Sequence, residues 1–278
     1  FKFDATNIVY SNSAYIQYSN NVHIQLLSLI IKQVQKDMKY IITTILILFI
    51  NYTNGQDIFN SIKSGNQDEL LTLLKNGEGT EQFNENGLTP LWMAVFKNDT
   101  TSVKILIENG ANVNGPTKKG LTPIIVGCMA NATESVEILL KNGADVNWKS
   151  AEVGNQQPIR FASKKGTVEF IKMLLKAGAD MESTANDGGT PLLAAVYSNN
   201  YSLARFYFEK GANVDILARD GECIIHEAIK TKNPKMVELA LQYNCPLDFK
   251  DGKGLSTKEI ANATENKIIK KLIKTALK

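Results

Sequence analysis

Catalysis, metal binding and covalent modification each need particular side chains at particular spacings, and this 278-residue chain supplies few of them. It has two histidines, His23 and His226, far apart in sequence. Its three cysteines, Cys128, Cys223 and Cys245, show no metal-ligand spacing with each other or with a histidine. No Ser/His/Asp set and no phosphate-cradling glycine loop is present. Asp187, Asp220 and Asp251 each precede a glycine, where a short carboxylate braces a turn. The expectation is a protein that is not an enzyme and takes no cofactor or metal. What remains is asparagine chemistry. Asn98-Asp99-Thr100, Asn131-Ala132-Thr133, Asn200-Tyr201-Ser202 and Asn262-Ala263-Thr264 are N-glycosylation sequons, open to use only on the secretory route.

The glycines reveal the elements that must position these groups. Gly77, Gly110, Gly143, Gly178 and Gly211 follow one another at steps of 33, 33, 35 and 33 residues. Thr89-Pro90, Thr122-Pro123 and Thr190-Pro191 recur in phase with them, and Gln157-Pro158 holds the same place in the third unit. A period of this length marks stacked supersecondary units. Proline suits the first turn of a helix because it has no amide hydrogen to leave unpaired, and the threonine before it accepts a bond from the exposed helix amides. Nine residues after that threonine stand Asn98, Asn131, Gly166 and Asn199, residues that tolerate a left-handed backbone between two helices. Val103/Leu106/Ile107, Val136/Leu139/Leu140 and Ile171/Leu174/Leu175 form the apolar stripe between units.

Gly-x-Thr-Pro openings and Asn-Gly-Ala-Asn/Asp-Val-Asn closings resemble the ankyrin repeat, a β-turn followed by two antiparallel helices. The resemblance covers about residues 57–278 and implies an all-α solenoid. It divides into a cap at 57–79, repeats at about 80–114, 115–147, 148–182, 183–215 and 216–248, and a cap at 249–278. In the fifth unit Cys223 and Ile224 replace Thr-Pro, while His226 holds the signature histidine position, whose ring is expected to bond neighbouring turn backbone. Cys128 falls at a small buried first-helix position, equivalent to Val95 and Val196. Cys223 and Cys245 lie at adjacent helix ends of one unit, so a bridge is conceivable; three buried free thiols is the other reading. An odd count without framework spacing is not the mark of a disulfide-stabilised domain. Leu139 to Asn147 resembles the motif of a cytosolic asparaginyl hydroxylase acting on ankyrin repeats, with Asn147 as target.

Residues 38–56 differ in kind. Met38-Lys39-Tyr40, the apolar run Ile41 to Ile50 and polar Asn51 to Gln56 have the order of a signal peptide. The run is short for a bilayer span, which needs about 20 apolar residues. Cleavage near Gly55 or Gln56 would release the repeats just before their first cap. The alternative is an apolar helix that packs on the array or anchors it. Residues 1–37 have no repeat register and are expected to be leader or disordered upstream sequence.

Charge narrows the partners. The net charge is +3, and the four lysines and two acids before position 56 account for two of those charges, leaving no footprint for nucleic acid. Lys267, Lys270, Lys271, Lys274 and Lys278 make a basic amphipathic end with Ile268, Ile269, Leu272 and Ile273. It reads as a capping helix with a polar outer face, or as a surface for anionic membrane. The implied function is protein binding, by a secreted protein or effector. A cytosolic scaffold and a piece of a larger latrotoxin-like secreted toxin are the alternatives. In the ankyrin family partners meet the turn tips and the exposed side of the first helices, a position that reads Phe96, Met129, Lys164, Tyr197 and Lys230. Trp148, beside a finger lengthened by two residues, joins this set, and Lys118, Lys119 and Arg219 occupy tips. A protein partner is expected, and a monomer is the default oligomeric state.

Overall fold

The computed structural model describes residues 32–45 and 58–278, which belong to two compact units, Phe1–Asn54 and Gly55–Lys278. The second unit is a stack of seven helix pairs. These are α1 (58–64) with α2 (Gln67–Lys75), α3 (Pro90–Phe96) with α4 (Thr100–Glu108), and α5 (Pro123–Ala130) with α6 (Thr133–Lys141). Next come α7 (Pro158–Lys165) with α8 (Val168–Lys176), α9 (Pro191–Tyr197) with α10 (Tyr201–Glu209), α11 (Ile224–Lys230) with α12 (Pro234–Gln242), and α13 (Thr257–Ala263) with α14 (Lys267–Ala276). First helices pack in one row, α3 on α5 and onward to α13, and second helices in another. The described residues include no strand, only isolated bridges at Ser150–Gln156 and Lys250–Ser256.

Local chemistry sets the helix bounds. Thr89 and Thr190 cap α3 and α9 by accepting the amides of Trp92 and Leu193, both at 3.2 Å, and proline follows each. Thr122 keeps the extended backbone of a cap but makes no side-chain cap bond, so there the proline alone sets the start. The second helices of the first five pairs end in a left-handed glycine turn, at Gly77, Gly110, Gly143, Gly178 and Gly211, and α12 uses Asn244 instead. Gly110 has φ +89°, its amide reaches Ile107, and the Ala111 amide reaches Leu106, which satisfies carbonyls that the helix leaves open.

Two expectations need correction. Asn98, Asn131 and Asn199 have positive φ, but Gly166 is extended at φ −71°. Glycine is needed there for space: a Cβ would lie 2.6 Å from the Ala162 carbonyl oxygen. The apolar stripe is also narrower than its sequence suggests. Val103, Leu106, Val136, Leu139, Ile171 and Leu174 are fully buried, whereas Ile107, Leu140 and Leu175 stay half-buried at its edge.

Polar ladders fix one unit to the next. Four residues after Gly77, Gly110, Gly143 and Gly178, a side chain accepts an amide of the following unit: Glu81 from Asn112 (2.9 Å), Asn114 from Asp145 (2.8 Å), Asn147 from Asp180 (3.0 Å) and Glu182 from Asn213 (3.1 Å). Asn114 and Asn147 also donate to the carbonyls of Gly143 and Gly178, so their side-chain amides are engaged on both sides.

His226 is buried, with Nε2 2.9 Å from the hydroxyl of Thr257 in the last unit; that hydroxyl donates to the Leu247 carbonyl. The ring thus reaches the neighbouring backbone through an intervening threonine. Burial is the largest influence on its pKa and pushes it below the ordinary histidine value; the Gly221 backbone and Asp251 push back, and Lys230 adds to the lowering. A histidine whose folded pKa is depressed binds fewer protons folded than unfolded, so its contribution is complete above the unfolded value, about 6.5, and is lost as pH falls below it. Acidification from about pH 7 to about pH 5 should therefore lower the thermal transition of the parent more than that of His226→Gln. Parallel pH profiles would refute this.

In the first unit residues 32–45 form a helix whose side chains are exposed, among them Val34, Met38, Tyr40, Ile41, Ile42 and Ile45. Gln33 donates to Asp37 at 2.9 Å one turn on. The helix runs through the 37/38 division expected from composition, because residues on both sides take part in the same backbone periodicity. The rest of the expected signal segment, 46–56, lies outside the described residues, as does His23. No helix among the described residues is long and apolar enough to cross a membrane.

Candidate protein-recognition surface

Three of the first helices carry an exposed large apolar side chain at or beside their ends. Phe96 closes α3 and is 56% exposed; Met129 lies one residue from the end of α5 at 45%; Tyr197 closes α9 at 65%. Stacked units project equivalent positions to one side, and packed helices stand about 8–10 Å apart, so these side chains rise in one row at repeat spacing. Trp92, one turn before Phe96 and half-buried, stacks beneath it with ring centroids 5.4 Å apart and planes 9° from parallel. That stack holds the Phe96 ring in place, and sequence reading did not include Trp92. Its i, i+4 spacing to Phe96 was the available signal.

The remaining expected positions differ among themselves. Lys164 is half-buried, with its ammonium 5.6 Å from the Phe161 ring centre. Burial first, and the Arg160 charge second, lower its pKa, while Asp187 acts the other way. Lys230 ends α11, but its ammonium is held by Glu227 and Glu222. Trp148 is half-buried and packs against the core. The lengthened finger holds a 3-10 turn, Ala151–Val153, and the Asn186 amide of the next tip bonds its Gly154 carbonyl at 2.8 Å. At the tips, Lys118 lies 5.5 Å over the ring of Phe83, which is 45% exposed, and Leu217 is 51% exposed. Neither apolar tip residue was expected, because both fall in segments without helical periodicity.

Arg160 occupies the signature histidine position of the third unit. Its guanidinium bonds Asp187 at the next tip at 2.7 Å. Burial raises the Asp187 pKa, but the Arg160 bond, the Gly189 amide and the Arg160 charge outweigh it, and the carboxyl sits below its ordinary value. This ion pair links units, as His226 does through Thr257.

Catalytic and metal chemistry find little here. Cys128, Cys223 and Cys245 are all free and buried, and burial raises each thiol pKa, away from the thiolate that nucleophilic or ligating cysteine requires. Among the described residues no three His, Cys, Asp or Glu side chains are grouped to hold a metal ion. The sequon asparagines separate into two kinds. Asn98 accepts the Ser135 amide and donates to Glu134 at 2.7 Å, and Asn200 caps α10 while donating to the Gly166 carbonyl at 3.1 Å. Asn131, at φ +57°, and Asn262, on α13, are exposed.

Paired short helices joined by tight turns and stacked through glycine-closed loops define a helical repeat solenoid. The family described as ankyrin repeats (3 copies) matches residues 58–150 and 159–251, and the chain belongs to the ankyrin-repeat family. The crystal structure of the human ASB11 ankyrin repeat domain superposes with a TM-score of 0.70 at 26% identity, covering 79% of this chain and 96% of that one. Alpha-latrotoxin-Lg1a of Latrodectus geometricus is 30% identical over 110 residues, 38% of this chain and 8% of that protein. Human palmitoyltransferase ZDHHC13 is 34% identical over 101 residues, 36% of this chain and 16% of that protein. The matched segments thus span a small part of these relatives. Ankyrin arrays bind protein partners, and the fold is typically non-catalytic.

Proposed function

We propose that this array is a non-catalytic protein-binding module of the extracellular space, with Phe96, Met129 and Tyr197 as anchors of its recognition row. The observation that carries the reading is the exposure of three large apolar side chains at equivalent ends of the first helices, one of them braced by a stacked indole. Aromatic and Met side chains are enriched at interface cores, and central anchors contribute most of the binding energy. Phe96→Ala and Tyr197→Ala should each leave the thermal transition nearly unchanged, since exposed sites alter stability by under about 0.5 kcal/mol. Each should weaken a captured protein partner by about 2 kcal/mol. Variants that bind like the parent would remove the row from consideration.

The extracellular part rests on the charged, apolar, polar order of residues 38–56 and on the four sequons. The similarity to a protein named as a latrotoxin is in keeping with it. Expression in secreting eukaryotic cells should yield medium protein beginning within a few residues of Asp57, with glycan on the exposed Asn131 in preference to Asn98 and Asn200, whose side-chain nitrogens already bond neighbouring units. Intact, unglycosylated protein retained in the cell, with hydroxylated Asn147, would support a cytosolic scaffold instead.

A further inference from the structure

The last helix pair encloses a second candidate site, distinct from the row of first-helix ends. A groove of about 550 Å³ runs between α13 and α14, lined by Lys258, Lys270, Lys271, Lys274 and Lys278, with Asn262 beside them, above Ala261, Ile273 and Leu277. Ala261 and Ile273 are 2% and 1% exposed and form its floor, while Leu277 is half-open at 43%. No carboxylate lines it. Lys141 and Arg205 are matched within their own helices by Glu137 and Glu209, both at 2.7 Å, whereas the groove lysines form no ion pair with any described residue. Helix α14 contains no acid at all. A polar outer face suffices to keep a terminal unit in water, and mixed charges would serve that end without the mutual repulsion of five ammonium groups. Charge of one sign over an apolar floor is what complementary recognition of an anion-bearing segment requires.

We propose that this groove docks an acidic amphipathic peptide segment of a protein partner, with Leu or Phe side chains on the Ala261/Ile273/Leu277 floor and carboxylates against the lysine rim. The relief of the site selects a peptide over a bilayer. Insertion into lipid needs apolar side chains that project beyond the charges, whereas here Ala261 and Ile273 are buried and, of the groove's apolar lining, only Leu277 is open. A segment that enters the groove reaches both layers at once.

The test uses the full chain, produced without glycans, and a synthetic peptide of Glu and Asp interspersed with Leu and Phe, followed by fluorescence anisotropy. The parent should bind, and binding should weaken as salt is raised because these lysines are screened. Lys270→Gln/Lys274→Gln/Lys278→Gln should weaken binding about tenfold or more, and Lys258→Gln/Lys271→Gln, on other parts of the rim, should weaken it independently. A peptide with Ser in place of Leu and Phe should also bind more weakly. Phe96→Ala/Tyr197→Ala should bind like the parent, which separates this site from the first-helix row. Equal binding by both lysine variants, equal binding of the Ser peptide, or binding to phosphatidylserine vesicles without binding to the peptide would overturn the proposal.

Discussion

Replacement of Tyr207 by Ala should destabilise the array by about 3–5 kcal/mol, the range for removing a buried aromatic ring. Tyr207 is fully buried and stands four residues before Gly211, where the preceding units have Leu106, Leu139 and Leu174. Its hydroxyl has to find a partner, and it lies 2.6 Å from Ser163 Oγ, 44 positions away. Ser163 in turn occupies the place held by Val95, Cys128 and Val196, and it donates to the Ile159 carbonyl at 2.7 Å. The serine proton is thus committed, so the tyrosine is the donor of the pair. Burial, opposed by the Ser163 bond, raises the phenol pKa and keeps the group neutral. The pair predicts an asymmetry. Tyr207→Phe leaves Ser163 bonded to its own helix and should cost about 1 kcal/mol, whereas Ser163→Ala strands a buried hydroxyl and should cost about 1–3 kcal/mol. The double variant should be no worse than Tyr207→Phe alone. Urea unfolding checks this, and an Ser163→Ala protein as stable as the parent would refute it. Because each unit is stabilised chiefly by its neighbours, Tyr207→Ala should also split unfolding into two phases about the third and fourth units.

Gly221→Val should be comparably damaging, at about 2–5 kcal/mol, through two additive causes. Gly221 has φ +75°, a left-handed geometry that costs a side-chain-bearing residue about 1–2 kcal/mol. A Cβ there would also lie 2.4 Å from the Gly252 nitrogen and 2.5 Å from the Asp251 carbonyl carbon, backbone atoms that cannot move aside as a flexible side chain would. Overpacking adds about 1–3 kcal/mol. A Cβ at Gly252 would likewise lie 2.4 Å from the Asp220 carbonyl oxygen, so two glycines let the fifth and last tips cross backbone to backbone. Gly254 provides the control: its φ is +78°, but nothing lies within 4 Å of its Cβ position. Gly254→Ala should therefore show the conformational cost alone, and Gly221→Ala clearly more. Equal losses in calorimetry would mean that the tips separate without cost.

The repeat architecture was legible because it is written in local chemistry. Proline at a helix start, glycine at a helix end and apolar residues at helical spacing each act within a few residues, and the period of about 33 repeats that action along the chain. The exposure of Phe96, Met129 and Tyr197 followed from their register, since equal register in a stack means equal direction. Contacts between units were not. Tyr207 with Ser163, Arg160 with Asp187 and His226 with Thr257 join residues that local pattern treats as unrelated substitutions, and only the stacked geometry brings each pair within a hydrogen bond. Gly166 looked like another left-handed stop, yet a neighbouring carbonyl explains it. Lys164 and Lys230 shared the register of the exposed row, but packing against Phe161 and capture by Glu222 and Glu227 decided what they touch. The lysines of α14 were visible as a charge pattern; their meeting with Lys258 over an apolar floor required the fold. Sequence by itself determined the repeating helix pair and most of its turns, because short-range sterics and hydrogen bonding set them. Tertiary structure decided which side chains are free to meet a partner, because burial and cross-unit bonds depend on atoms about 30 residues or more away along the chain.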